Sequence, residues 1–192
     1  MTPSATSTAE VDALTAVSTI VVRPEALELR DGSGAEVESL GFDDPLADVV
    51  ASLSVAVGTD PVTKPYEGGL ETPAGVSYEW AGFRLLDFQP VDGKFPNQSD
   101  FAVFVTAGAS GEVGLVTSAG YKVGDPIADI AAEVDAEAGR TYFAVEYGEE
   151  LTTPAGENIE YPNAWAVTVG AAAWAGSIER IMAPVNLSHW VS

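Results

Sequence analysis

The sequence predicts an α+β fold: two tandem strand-strand-helix-strand-strand repeats, with the helices packed on one face of a largely antiparallel sheet. Three observations support this prediction. The chain matches itself at an offset of 81 residues, each copy holds an apolar helical face after an Asp-Pro pair, and segments of alternating apolar residues flank both helices. With 192 residues, 46% of them hydrophobic, the chain is long enough to bury a substantial core.

The repeat is strongest between residues 44–75 and 125–156, which are identical at 12 of 32 positions without a gap. The shared residues include an Asp-Pro pair and a Thr-Pro-Ala-Gly turn in each copy. A period this long exceeds that of a solenoid repeat and indicates a pair of αβ units. We therefore divide the chain into a flexible tether at 1–17, a first αβ repeat at 18–92, and a second αβ repeat with the C-terminal tail at 93–192.

Strands are predicted where apolar residues alternate or cluster between turn residues. In the first repeat they cover 18–31, 37–42 and 76–88, with an Asp-Gly-Ser-Gly turn at 31–34. In the second repeat they cover 101–106, 112–123, 141–147, 159–161, 165–169 and 172–182. Because the linker at 89–97 is short and contains Pro and Gly, we expect the two repeats to share a sheet or a tight interface.

Each repeat contains one predicted helix. Asp44 and Asp125 are expected to cap the helix N-termini, with a proline in the first turn, where its missing N–H is not needed. Gly58 and Gly139 are expected to end the helices in the left-handed conformation. The apolar face of the second helix is thinner, because alanine occupies positions that hold larger side chains in the first.

The charge of the chain excludes several classes of partner. With 29 acidic and 8 basic side chains, the net charge is −21, so no binding to nucleic acid or to an anionic membrane is expected. The absence of cysteine excludes a disulfide framework, thiolate metal sites and a cysteine nucleophile. Since the chain has no apolar run of about 20 residues, no membrane span is predicted.

Residues 2–9 are small and polar and include a proline, which is the composition of a flexible tether. One interpretation is that they follow a secretion signal, with a lipid-bearing cysteine upstream of Thr2. The alternative is an ordinary frayed N-terminus. The first interpretation predicts a protein that is secreted or anchored at the extracellular face of the cell envelope.

The side chains offer few routes to catalysis. His189 is the single histidine, and no Gly-x-Ser-x-Gly pattern accompanies it, so neither a Ser-His-Asp triad nor a zinc site is expected. Carboxylates remain, and Glu79 and Glu160 occupy equivalent positions beside Trp80 and Tyr161. A glycosidase needs two such acids in one cleft. We predict no catalytic residue, no metal ligand and no cofactor.

The candidate ligand-binding residues are Glu79, Trp80, Glu160, Tyr161 and Trp165. Large aromatic side chains are the usual anchors of a binding surface. The same pattern also fits tryptophans in the core and acids that face solvent on the opposite side of a strand. Both interpretations stay open at the level of the sequence.

The segment 123–130 resembles a known family. Gly124 and a short polar turn follow a strand and lead into a helix, with the apolar Ile130 six positions after the glycine. This pattern is similar to the tandem-repeat fold of the β-lactamase inhibitory proteins and of small outer-membrane assembly lipoproteins, and the chain also resembles actinobacterial surface lipoproteins. The resemblance implies helices on an antiparallel sheet and export. The inhibitory proteins carry a disulfide in each repeat, which this cysteine-free chain lacks, and no inhibitory residue carries over.

These observations predict a non-enzymatic, extracytoplasmic binding protein of the cell envelope whose partner is a protein or a saccharide. The first alternative is an inhibitor of a secreted enzyme, and the second is a carboxylate-dependent glycoside hydrolase. Two acids that converge in one cleft would favour the hydrolase. An exposed aromatic patch without a cleft would favour binding or inhibition.

Overall fold

The computed structural model describes residues 13–67, 74–88, 99–151 and 162–187. Within these ranges the chain forms twelve strands in two sheets and two short helices. The protein is mostly β, and the predicted α+β fold is therefore wrong. Each helix buries only three side chains, so the helices do not form a layer on a sheet face.

The first half of the chain contains three strands, one helix and three further strands. They are β1 (Val17–Val22), β2 (Ala26–Asp31), β3 (Glu36–Gly41), α1 (Leu46–Val57), β4 (Val62–Tyr66), β5 (Gly75–Trp80) and β6 (Phe83–Phe88). The second half has the same order of elements. They are β7 (Phe101–Val105), β8 (Ala109–Ser110), β9 (Val113–Thr117), α2 (Ile127–Glu133), β10 (Tyr142–Glu150), β11 (Ala164–Gly170) and β12 (Arg180–Asn186). Compared with the predicted strand-strand-helix-strand-strand order, each half has one more strand on either side of its helix.

The larger sheet has seven strands in the order β10-β11-β12-β7-β6-β5-β4, and all neighbouring pairs are antiparallel. The strands that follow α1 lie on one side of β7, and those that follow α2 lie on the other side in mirror order. The smaller sheet, β3-β2-β1-β9-β8, joins the two halves through the parallel pair of β1 and β9. Each sheet therefore contains strands from both halves. The linker expected at 89–97 lies outside the described residues.

The predicted C-terminal end is correct for the first helix and wrong for the second. Gly58 ends α1 with a φ of 76°, as predicted for a left-handed C-terminal residue. In contrast, α2 ends at Glu133, six residues before Gly139, and Asp135 takes a positive φ of 54°. Acidic side chains at 133, 135 and 137 are unfavourable near the negative end of the helix dipole, and the alanine-rich face buries too little area to extend the helix.

The helix N-termini also differ from the prediction. Pro45 and Pro126 occupy the N-cap positions, and neither cap has a side-chain hydrogen bond. The carboxylate of Asp44 instead accepts a hydrogen bond from the Gly41 N–H at 2.6 Å. In the same way, the Asp125 carboxylate accepts from the Lys122 N–H at 2.9 Å. Both aspartates therefore close a turn that leads into the helix, rather than cap the helix itself.

One hydrophobic core joins both sheets and both helices. Its members include Leu29 and Leu115 from the smaller sheet, Phe83 and Val103 from the larger sheet, and Leu53 from α1. Leu14 and Val17, at the end of the predicted tether, are also buried in the core, and residues 1–12 lie outside the described residues. Among the described helices, none is long and apolar enough to cross a bilayer.

Candidate functional site

The face of the seven-stranded sheet that points away from the core carries the candidate site. Residues that pair directly across adjacent strands lie on one face, and successive residues of a strand lie on opposite faces. Pairing in this sheet therefore places five side chains in one line across five strands, namely Glu79, Arg84, Phe104, Met182 and Thr168. We call this line the outer row. The neighbours of Arg84 in the chain, Phe83 and Leu85, point into the core instead.

Arg84 lies at one side of the outer row and contacts an aromatic ring there. Its guanidinium carbon lies 5.1 Å from the centroid of the Phe104 ring, a cation–π arrangement. The Nε atom is buried and has no hydrogen-bond partner in the described part of the chain. A guanidinium carries five N–H donors, and a buried donor without a partner costs about 1–3 kcal/mol. Among the described residues, Arg84 is therefore held by an aromatic ring, and no carboxylate forms an ion pair with it.

Glu79, the first of the predicted site residues, is paired with a cation. Lys64 donates to its Oε2 atom, and the Ser77 hydroxyl donates to its Oε1 atom at 3.2 Å. The hydrogen bond from Lys64 is the main reason that the pKa of Glu79 lies below its ordinary value, and Arg84 adds to the effect. Glu79 therefore remains ionised near neutral pH, which is the opposite of what a general acid needs.

A second arginine–aromatic pair lies on the same face. Arg180 is paired with Gly170, and Gly170 with Tyr142, so these residues form a shorter parallel row. The Arg180 guanidinium lies 5.6 Å from the centroid of the Tyr142 ring. A β-carbon at Gly170 would lie 2.8 Å from Arg180 Nε, so the glycine leaves the room that this side chain occupies.

Tyr142 is tied to the outer row through its hydroxyl. The Thr168 hydroxyl donates to the Tyr142 hydroxyl oxygen at 3.0 Å. Burial raises the pKa of Tyr142 above its ordinary value, although the bond to Thr168 and the charge of Arg180 act in the other direction. The phenol therefore stays neutral at physiological pH and acts as a positioned hydrogen-bonding group.

The structure does not bring the predicted site residues together. Trp80 is 7% exposed and stacks on Phe83 at 4.9 Å between ring centroids, while its indole N–H donates to the Thr59 carbonyl oxygen at 3.0 Å. It is a core residue on the face opposite Glu79. Trp165 lies on β11, which is separated from β5 by three strands, or roughly 19 Å at the usual strand spacing. Glu160 and Tyr161 lie outside the described residues.

Sequence reasoning missed the residues that form this face. Arg84 carried a usable signal, because a lone arginine between buried residues of a strand marks a solvent-facing position. Phe104 carried none, since β7 reads Phe-Ala-Val-Phe-Val and shows no alternation. Met182 and Arg180 lie in a segment for which a strand was predicted. The sequence did not predict which strands pair with that segment.

No metal centre is found in the part of the chain that the structure describes: no group of three or more His, Cys, Asp or Glu side chains is placed to hold an ion. Comparison with known proteins identifies no relative of this chain. No protein-family model matches the sequence, and no curated protein or solved structure matches it either.

Proposed function

We propose that this protein is a non-enzymatic binding protein that acts outside the cytoplasm and engages its ligand through the outer face of the seven-stranded sheet. The observation that carries the proposal is Arg84, which rests on Phe104 and donates no hydrogen bond to any described residue. A side chain that is positioned by an aromatic ring, and whose donors are not taken up by the described residues, is suited to bind a further group.

The surroundings of Glu79 argue against the hydrolase alternative. Its carboxylate is held by Lys64, and its pKa lies below the ordinary value. A retaining or inverting glycosidase needs one carboxylic acid that stays protonated near neutral pH. Inhibition of a secreted enzyme remains one form that binding through this face would take, with the enzyme as the partner.

A binding screen tests the proposal. The full-length protein would be applied to a displayed random-peptide library and to a glycan array, beside a variant that carries Arg84→Gln and Arg180→Gln. Lys122→Gln is the matched control, since it removes one cation from a turn outside the outer face. We expect binding signals that the double variant loses and the control keeps. Signals that the double variant keeps would overturn the assignment of this face.

The compartment is tested separately. Intact cells that express the complete gene product would be treated with an added protease, with a cytoplasmic protein as the internal control. Exposure outside the cell predicts that the protein is degraded while the control survives. Survival of both proteins, followed by degradation of both after lysis, would contradict an extracytoplasmic location.

A further inference from the structure

We infer that the turn between β1 and β2, residues 23–25, caps the free edge of β10 and prevents the seven-stranded sheet from pairing with a second copy of the chain. We call this turn the edge cap. The edge of any sheet offers backbone N–H and C=O groups to an extended chain, so it is a site of unwanted association unless it is blocked. The edge cap goes beyond the proposed function and does not depend on Arg84.

The opposite edge of the sheet, β4, is blocked by proline. Its pairing with β5 continues without a register shift through Pro65, which has no N–H to donate. The backbone of Pro65 therefore faces the free side of the strand, and the alternate positions Thr63 and Pro61 share that side. A strand added to β4 would find a single N–H, that of Thr63, at these three positions.

The β10 edge has no proline to block it. β10 is the longest strand of the sheet, with nine residues, and no described strand pairs with its outer edge. Its register with β11 shifts twice, and the second shift, between Tyr147 and Glu150, leaves Gly148 and Glu149 outside the regular pairing. The N–H of a bulged residue is free to bond to a group outside the sheet.

The edge cap supplies such a group. The Glu25 carboxylate accepts a hydrogen bond from the Glu149 N–H at 2.9 Å. The turn lies so close to β10 that a β-carbon at Gly148 would lie 2.2 Å from Glu25 Oε1 and 3.0 Å from the β-carbon of Pro24. Since a neighbouring strand would run about 4.8 Å from β10, the Glu25 carboxylate occupies the space that its backbone would need.

The rest of the turn holds Glu25 in this position. Pro24 is buried, and the Phe42 N–H donates to the Glu25 carbonyl oxygen at 3.1 Å. The Arg23 guanidinium donates to Glu146 Oε1, also on β10, at 2.9 Å. Because its backbone is fixed in this way, Glu25 loses little freedom when it binds the edge.

A carboxylate is well suited to close an edge. It accepts hydrogen bonds but has no N–H of its own, so it does not present a new edge to the next chain. Charge adds a second barrier, because β10 carries Glu146, Glu149 and Glu150, and these repel the same residues of a second copy at low salt. Once salt screens this repulsion, the edge cap is the remaining barrier to pairing between two β10 strands.

Two substitutions in the full-length protein open the edge cap in different ways. Glu25→Ala removes the acceptor, and Gly148→Ala places a methyl group where the Glu25 carboxylate lies. Glu112→Ala is the matched control, since it removes one exposed carboxylate from the turn between β8 and β9. Amide hydrogen exchange measures the state of the cap. Sedimentation velocity in 1 M salt, where the Debye length is about 3 Å, measures association.

We expect the Glu149 amide to exchange about tenfold faster in both cap variants than in the wild type and the control, as the loss of one hydrogen bond to a charged group predicts. In 1 M salt both cap variants should form dimers, with new exchange protection within β10. The wild type and Glu112→Ala should stay monomeric. An unchanged far-UV circular dichroism spectrum shows that each variant is folded.

Other outcomes overturn the inference. Equal exchange of the Glu149 amide in the wild type and Glu25→Ala would show that the carboxylate does not protect this N–H. Faster exchange without dimers in 1 M salt would show that the turn links the two sheets but does not guard the edge. Dimers of Glu112→Ala, or new protection outside β10, would assign association to another surface. The proposed binding through Arg84 is unaffected by each of these results and is tested by the screen alone.

Discussion

Two pairs of arginines in this protein have opposite surroundings. Arg23 and Arg30 belong to an ion-pair network between the two sheets. Arg23 donates to Glu28 Oε1 at 2.7 Å and to Glu146 Oε1 at 2.9 Å, and Arg30 donates to Glu28 Oε2 at 2.6 Å. The Ser118 hydroxyl also donates to Glu146. We call these residues the inter-sheet network.

Arg84 and Arg180 lie on aromatic rings instead, and no described carboxylate accepts a hydrogen bond from either of them. The comparison teaches that an arginine whose donors are taken up by carboxylates links the two sheets, whereas Arg84 and Arg180 keep donors that no described carboxylate accepts, which is the basis of the proposed binding role. Burial raises the pKa of Glu28, but hydrogen bonds from Arg30 and Arg23 outweigh it, so the pKa lies below its ordinary value. The bond from Glu28 likewise raises the pKa of Arg23.

The largest loss of stability is expected when the inter-sheet network is broken. Glu28→Gln keeps the size of the side chain but removes the charge that binds two arginines, and Glu28 is only 15% exposed. We expect the free energy of unfolding to fall by about 2 kcal/mol, within the range for hydrogen bonds to charged groups. Urea unfolding measures it, with the exposed Glu112→Gln as a control that should change little. A loss no greater than that of the control would show that the network does not stabilise the fold.

The next prediction concerns pH. Since the folded-state pKa of Glu28 is lowered, its stabilisation is present above the unfolded pKa, about 4.3, and is lost as the pH falls through the folded value. The difference between wild type and Glu28→Gln should therefore stay constant from pH 7 to about pH 5 and shrink below about pH 4. Urea midpoints for both proteins along this series measure it. A difference that grows in acid would contradict the sign.

A smaller effect is expected at the rim of the outer face. Lys64 is 55% exposed and Glu79 is 29% exposed, so Glu79→Gln should cost at most about 1 kcal/mol, and the loss should disappear in 1 M salt. Glu28→Gln should keep most of its effect under the same conditions, because its partners are less exposed. Unfolding at low and high salt compares the two. Equal salt sensitivity would remove the distinction between a buried network and a surface pair.

An equally small effect on stability is expected for Arg84→Gln. The substitution loses the contact with Phe104, about 0.5–1 kcal/mol, and places the glutamine amide nitrogen where the buried Nε atom lies, so that a buried polar group remains at this position. We expect a net loss of at most about 1 kcal/mol, while Arg23→Gln should cost about 2 kcal/mol. Thermal unfolding of the two variants side by side tests this. A large loss for Arg84→Gln would make Arg84 a structural residue and weaken its role in binding.

Features that depend on neighbours in the chain were predicted well. The turn at 31–34 forms as expected, with the Gly34 N–H donating to the Asp31 carbonyl at 2.9 Å. The Asp31 carboxylate accepts hydrogen bonds from Ser33 and Ala35, which also lowers its pKa. The first helix and its end at Gly58 follow from the same kind of local signal. Sequence reading placed these because the interactions span only a few residues.

The predictions failed where distant segments had to be combined. The strand predicted at 172–182 begins only at Arg180, because a turn closed by the Gly176 N–H and the Ala173 carbonyl precedes it. Glu79 and Trp80 were read as one surface, although successive strand residues point to opposite faces. The α+β prediction failed for a related reason. Two short helices were predicted to form a layer on the sheet, but each of them buries only three side chains.

The sequence by itself determined the strong acidity, the absence of cysteine chemistry, the first helix and the position of several turns. Only the tertiary structure decided that strands dominate and that Arg84 lies beside Phe104 and in line with Met182. The physical reason is that strand register arises from hydrogen bonds between segments far apart in the chain, and it is selected by the packing of a shared core. A local pattern records which side chains alternate, but not which strand lies beside them.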